Sequence, residues 1–143
     1  MGEFENYSQT SHTYDKTRIP AGVEILFGSL AKLGIPFDRM KVLDAGCGTG
    51  NYSRELLKHV GGINALDINR GMINTAAEKL NSAVRQGKIT FCQSNIQALP
   101  FKAQTFDAVV ITQVLHHIEE RPDLDPAVHR LVFKEAYRVL KPN

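Results

Sequence analysis

Three glycines at alternate positions, Gly46, Gly48 and Gly50, follow at once on the apolar run Lys41–Ala45, with Asp44 just ahead of them. Glycine lets a backbone turn tightly with φ > 0, and it lets a ligand approach where a Cβ would stand in the way. A helix starting directly after such a loop offers free N–H groups to something anionic. Asp67 closes the next strand-like run, about 20 residues on, where a carboxylate can accept from both hydroxyls of a ribose. Asp44 and Asp67 also suit plain strand-end and turn chemistry, where Asp is common. The dinucleotide fingerprint GxGxxG needs its third glycine at the place held by Asn51, so the spacing fits a different ligand. His116 and His117 follow the fourth strand-like run. Neighbours point different ways, so at most one faces a site; His117 is the candidate general base or substrate positioner, against a loop histidine packed locally or solvated. Glu119, Glu120 and His129 show no zinc spacing, and no metal site is expected. Cys47, inside the loop, is assigned no chemistry.

These residues need a frame that delivers them to one place. Pro20 suits a helix start, Ile25, Leu26, Leu30 and Leu33 recur at helical spacing, and Gly34 suits the position after the end. Strand-like runs follow at Lys41–Ala45, Ile63–Leu66, Ile89–Cys92 and Phe106–Ile111, the last continuously apolar, as in a strand covered on both faces. Between them, Asn51–Val60 reads as a helix with Tyr52, Leu56, Leu57 and Val60 inward, and Met72, Ile73, Ala76, Leu80 and Val84 trace another. Asp125 as N-cap and Pro126 at the first position open a final helix with Val128, Leu131, Val132, Ala136, Val139 and Leu140 as its stripe. Strands alternating with helices imply right-handed crossovers and a doubly wound, Rossmann-like parallel α/β sheet with helices on both faces, strand order 3-2-1-4. Ligands bind such sheets at the carboxyl ends of the strands. Asp44, Gly46, Gly48, Gly50, Asp67, Asn95 and Gln113 all stand at or just past strand ends.

With these residues in view, Val42-Leu-Asp-Ala-Gly-Cys-Gly-Thr-Gly50 resembles the first motif of class I methyltransferases, of the small-molecule type. Leu66-Asp67 is similar to the family's acidic second-strand end, and Ser94-Asn95-Ile96-Gln-Ala-Leu-Pro-Phe101 to its D-A-x-x-L-P-F segment. Phe106-Asp107 through Leu115-His-His-Ile118 resembles the fourth strand and its loop, and Leu140-Lys-Pro-Asn143 the turn before a fifth strand. Tyr14, Asp15 and Arg18 resemble the arm that precedes the domain. The resemblance implies S-adenosyl-L-methionine as cofactor and S-adenosyl-L-homocysteine as product. It implies that Asp44 is among the cofactor-binding residues, that the loop Gly46–Gly50 meets the methionine part, Asp67 the ribose, and Ile68 and Met72 the adenine. Asn95 and Ile96 would read the adenine edge and face, Gln113 would lie by the methionine amino end, and Tyr14 and Arg18 would fold over, Arg18 reaching the carboxylate. The family usually has Asp at position 95; the Asn carbonyl can still accept there without charge assistance, so weaker binding is expected. Methyl transfer itself asks mainly for proximity and alignment.

Composition narrows the setting. The 143 residues suit one unit: an arm over 1–19 and a cofactor-binding domain over 20–143. A net charge of +2 argues against a nucleic-acid partner, and no run is long and apolar enough to span a bilayer. Met1–Thr17 is polar and lacks a signal-peptide core, so a cytoplasmic location is expected. Cys47 and Cys92 are expected as free thiols, since two strand spacings, roughly 10 Å, exceed the usual limit of about 7 Å for a bridge. The family's fifth to seventh strands have no counterpart before Asn143, so the fold is expected to be incomplete, with the fourth strand an apolar edge inviting a homodimer. Three functions compete: methyl transfer to a small-molecule acceptor, a non-catalytic fragment that binds cofactor or a partner, and a nicotinamide-dependent oxidoreductase, which Asn51 disfavours.

Overall fold

Parallel pairing joins β1 (Lys41–Ala45) to β2 (Gly62–Asp67) on one side and to β4 (Ala108–Val110) on the other, while β3 (Ile89–Gln93) pairs with β2. The sheet order is therefore β3-β2-β1-β4, as the alternation of strands and helices predicts. The computed structural model describes residues 20–112, 114–115 and 127–142. Around the sheet lie α1 (Val23–Ala31), α2 (Asn51–Leu56), α3 (Arg70–Lys79), α4 (Asn81–Arg85) and α5 (Ala127–Val139).

Alternation along β1 builds two cores. Val42 joins Leu30, Leu56, Val60, Ile73 and Leu80 on the side of α1 to α4. Leu43 and Ala45, pointing the other way, meet Ile96, Leu99, Phe106, Val132 and Val139 on the side of α5. Each fully buried Leu or Val contributes about 1.5–3 kcal/mol relative to exposure. Between Val42 and the glycine loop, Asp44 takes one of these inward positions.

The structure corrects several element readings. The fourth strand is shorter than Phe106–Ile111, because the backbone before it is drawn to the end of α5: the N–H groups of Thr105 and Phe106 both donate to the carbonyl of Val139, at 2.8 and 2.9 Å. Phe106 also forms a parallel bridge with Leu140, and Asp107 ties down the start of β1 by accepting from the Lys41 N–H at 2.7 Å. The helix carrying Met72 to Val84 breaks at Leu80, where φ is −106° and ψ 24°, which keeps Leu80 buried while Val84 turns outward. The helix from Asn51 ends at Leu56 and continues to Val60 as turns. The first helix starts at Val23 rather than at Pro20. Ile25 and Leu131 face outward, since α1 buries the face of Leu26, Phe27 and Leu30 and α5 that of Val128, Val132, Ala136 and Val139. The helix starters Asp125 and Pro126 and the arm 1–19 lie outside the described residues. No described helix is long and apolar enough to cross a membrane.

Candidate functional site

Where β1 ends, the chain folds over the end of β2: the N–H groups of Gly46 and Cys47 both donate to the carbonyl of Leu66, each at 2.8 Å. Gly46 has φ 84°, and a Cβ there would collide with the Val114 side chain, so the loop lies directly against the segment leaving β4. Gly48, at φ 54°, differs: a Cβ would find no atom of the described residues within 4 Å. Here the loop presents bare backbone to open space. Its N–H donates to Asp67 Oδ2 at 2.9 Å, and Asp67 Oδ1 accepts from the Asn69 N–H at 2.8 Å. Asp67 is thus fixed between the glycine loop and α3, and each of its oxygens keeps a second lone pair.

Beside it, Ile68 is 66% exposed, an apolar side chain presented at a polar strand end. Met72 is buried in the first turn of α3, whose N-cap Asn69 accepts from the Met72 N–H at 3.1 Å. The end of β3 is tied to the same edge: the Ser94 N–H donates to the Asp67 carbonyl at 3.0 Å, and Gln93 Nε2 to the Ile68 carbonyl at 2.9 Å. Asn95 follows and is exposed; its Oδ1 accepts from the Gln97 N–H at 2.9 Å, leaving one lone pair for a ligand. The Ile96 side chain turns into the core instead.

Below the loop lies Asp44, wholly enclosed. Its Oδ2 accepts from Ser53 Oγ at 2.6 Å, while Oδ1 has no hydrogen-bond partner among the described residues. Burial pushes its carboxyl up to about 6, with repulsion from Asp67 adding and the Ser53 hydrogen bond opposing. An ionised Asp44 places negative charge beneath the glycine loop, which favours a cationic ligand group above it. Burial likewise pushes the Cys47 thiol well above its usual range, helped by Asp44 and Asp67, so it offers no nucleophile. Cys47 and Cys92 are both free.

The described residues thus bring Asp44, Gly46, Gly48, Gly50, Asp67, Ile68 and Asn95 to one edge, with Met72 and Ile96 behind it. Tyr14, Arg18, Gln113, His116 and His117 lie outside the described residues. Two residues were missed by sequence reasoning. Ser53 carries no signal of its own, because its partner is nine residues away and meets it only when α2 packs on β1. Tyr52 reads as an inward apolar residue, yet its hydroxyl grips the Ala21 backbone, donating to the carbonyl at 2.9 Å and accepting from the N–H at 3.1 Å. That contact brings the N-terminal segment to the glycine loop's helix.

Residues 42–143 match the family model described as a methyltransferase domain. The chain belongs to the class I methyltransferase family. Within it, the chain is 37% identical over 105 residues to the ubiquinone/menaquinone biosynthesis C-methyltransferase UbiE of Haemophilus ducreyi, covering 71% of this chain and 38% of that protein. It is 36% identical over 116 residues to the demethylmenaquinone methyltransferase of Lactobacillus johnsonii, covering 75% and 44%. Among solved structures, a putative S-adenosyl-L-methionine-dependent methyltransferase of Methanococcus maripaludis superposes with a TM-score of 0.76 over 99% of this chain and 63% of that one, at 22% identity, a likeness of fold. A putative sarcosine dimethylglycine methyltransferase of Galdieria sulphuraria gives a TM-score of 0.70 at 28% identity, covering 84% and 42%. The chain spans less than half the length of the curated relatives it matches.

Proposed function

We propose that this chain binds S-adenosyl-L-methionine across the carboxyl ends of β1, β2 and β3 and serves methyl transfer to a small-molecule acceptor. The observation that carries the reading is the pairing of Gly48, bare and open among the described residues, with the Asp67 carboxylate that holds it, above the enclosed Asp44. The residues fit the cofactor's chemistry: an acceptor for ribose hydroxyls, an apolar side chain for a base, and a buried carboxylate for a cation. In this reading Asp67 holds the ribose, Ile68 packs on the adenine with Met72 behind it, and Asn95 reads the adenine edge over Ile96. Gly46, Gly48 and Gly50 line the methionine part above Asp44, with Gln113, Tyr14 and Arg18 around it. When bound, the cofactor supplies an activated sulfonium methyl group. The chain's own work is then to orient it, keep water from it, and take a proton from the acceptor where needed, His117 being the candidate base.

The quinone methyltransferases among the relatives support a small-molecule acceptor. The binding unit starts near residue 20 in this proposal, because Tyr52 anchors Ala21 to it. Two free thiols support a reducing, cytoplasmic setting. A homodimer is part of the same proposal. An open groove of about 760 Å³ runs between the outer edge of β4 and α5, lined by Val109, Ile111, Leu115, Phe133, Tyr137 and Leu140, and a second copy would cover it. The alternative, binding without turnover, is separated from methyl transfer by a turnover assay with labelled methyl groups.

Calorimetric titration with S-adenosyl-L-methionine and S-adenosyl-L-homocysteine tests the proposal. The wild-type chain is expected to bind both, and Asp67→Ala to lose about 2–4 kcal/mol, on the order of 30- to 1000-fold in affinity, the worth of one or two charged hydrogen bonds. Equal binding by the variant would refute the role of Asp67.

A further inference from the structure

None of the residues assigned to the cofactor edge stands on α5, yet two of its residues grip the segment that follows β3. Glu135 and Arg138 lie one turn apart. Arg138 Nε donates to Glu135 Oε1 at 2.7 Å and Nη2 to Oε2 at 2.8 Å. Two further N–H groups of the guanidinium go to backbone: Nη1 to the Phe101 carbonyl at 2.7 Å and Nη2 to the Leu99 carbonyl at 2.9 Å. Glu135 Oε2 completes the grip by accepting from the Leu99 N–H at 2.8 Å. One ion pair thereby holds Leu99 by both its N–H and its carbonyl, an arrangement that a planar fork can make and a lysine point charge cannot.

Four residues upstream stands Asn95. Its turn is closed by two bonds, from the Gln97 N–H to Oδ1 at 2.9 Å and from the Ala98 N–H to its carbonyl at 3.1 Å. That turn hangs between two fixed points. On one side the Ser94 N–H is held by the Asp67 carbonyl, and on the other Leu99 is held by the ion pair. Ile96 and Leu99 sit in the core, so the turn has no freedom to slide without breaking the grip.

We propose that Glu135 and Arg138 are positioning residues for base recognition: through Leu99 they fix the turn that presents Asn95, and so set selectivity for the nucleobase of the cofactor rather than the hold on its ribose or methionine. This rests on the proposed cofactor site. The test compares binding of S-adenosyl-L-homocysteine with that of its inosine analogue, in the wild-type chain and in Arg138→Lys and Glu135→Gln. Leu30→Ala, a core change on the other face of the sheet, serves as the stability control. The adenosine-over-inosine preference is expected to fall about tenfold in both positioning variants, the size of one lost hydrogen bond. It is expected to hold in Leu30→Ala even when its Tm is the lower. Amide exchange at Gln97 and Leu99 is expected to quicken in Arg138→Lys without ligand. A preference that survives in both variants, or falls equally in Leu30→Ala, overturns the positioning role while leaving the site standing. A wild-type chain that binds neither ligand overturns the site reading itself, and the positioning role with it.

Discussion

At the scale of single residues, Asp44 carries the sharpest conflict between stability and binding. Its carboxyl is raised from the ordinary 3.8 to about 6 by burial, so the folded chain keeps a proton there to higher pH than the unfolded chain does. A raised folded pKa contributes stability that is complete below about pH 4 and is lost as pH rises through about 6; a shift of this size corresponds to about 3 kcal/mol. Asp44→Asn removes that loss. The ligand-free variant is expected to match the wild type near pH 4 and to be the more stable above pH 6, as denaturant midpoints will read. Its affinity for S-adenosyl-L-methionine is expected to be lower at pH 8 and flat with pH, whereas wild-type affinity falls as pH drops through about 6. A constant stability difference across this range would contradict the account. Asp44 and Asp67 were legible in sequence as strand-end acids beside a glycine loop. That Asp44 is sealed in and paired with Ser53 was not, because the contact exists only once α2 lies on β1.

At the scale of elements, the glycine loop does two jobs that substitutions separate. Gly46→Ala places a methyl against Val114 at positive φ, which is expected to lower stability by about 2 kcal/mol or more. Gly48→Ala meets no neighbour, so its cost is the positive-φ strain alone, about 1 kcal/mol, while its methyl stands in the open space above the loop. Thermal unfolding and titration together check this: Gly46→Ala is expected to lose mainly Tm, Gly48→Ala mainly affinity. The four strands and their order were legible because apolar runs of strand length alternate with helical stripes. The shortened β4 was not, since Phe106 and Thr105 donate to Val139, a partner more than thirty residues away. The outward turn of Leu131 escaped for a similar reason: its spacing fits the stripe of α5, but no layer covers that side of the helix among the described residues.

At the scale of the whole molecule, the described residues carry the candidate site at the carboxyl ends of the strands and an apolar groove between β4 and α5. Phe133 and Tyr137 of α5 are 56% and 82% exposed in the groove beside β4 that a second copy is proposed to cover. Sedimentation at tens of micromolar is expected to show a dimer, and Tyr137→Glu to return it to monomer; a wild-type monomer throughout would contradict the proposed pairing. The carboxyl ends of β1, β2 and β3 are where the central claim stands. Its most direct test is an amide-resolved NMR titration of the isotopically labelled chain with S-adenosyl-L-homocysteine. The account predicts shifts concentrated at Gly46, Gly48, Gly50, Asp67, Ile68 and Asn95, with Val109 and Tyr137 still. Shifts centred on the groove of β4 and α5, or none in a folded chain, would contradict it.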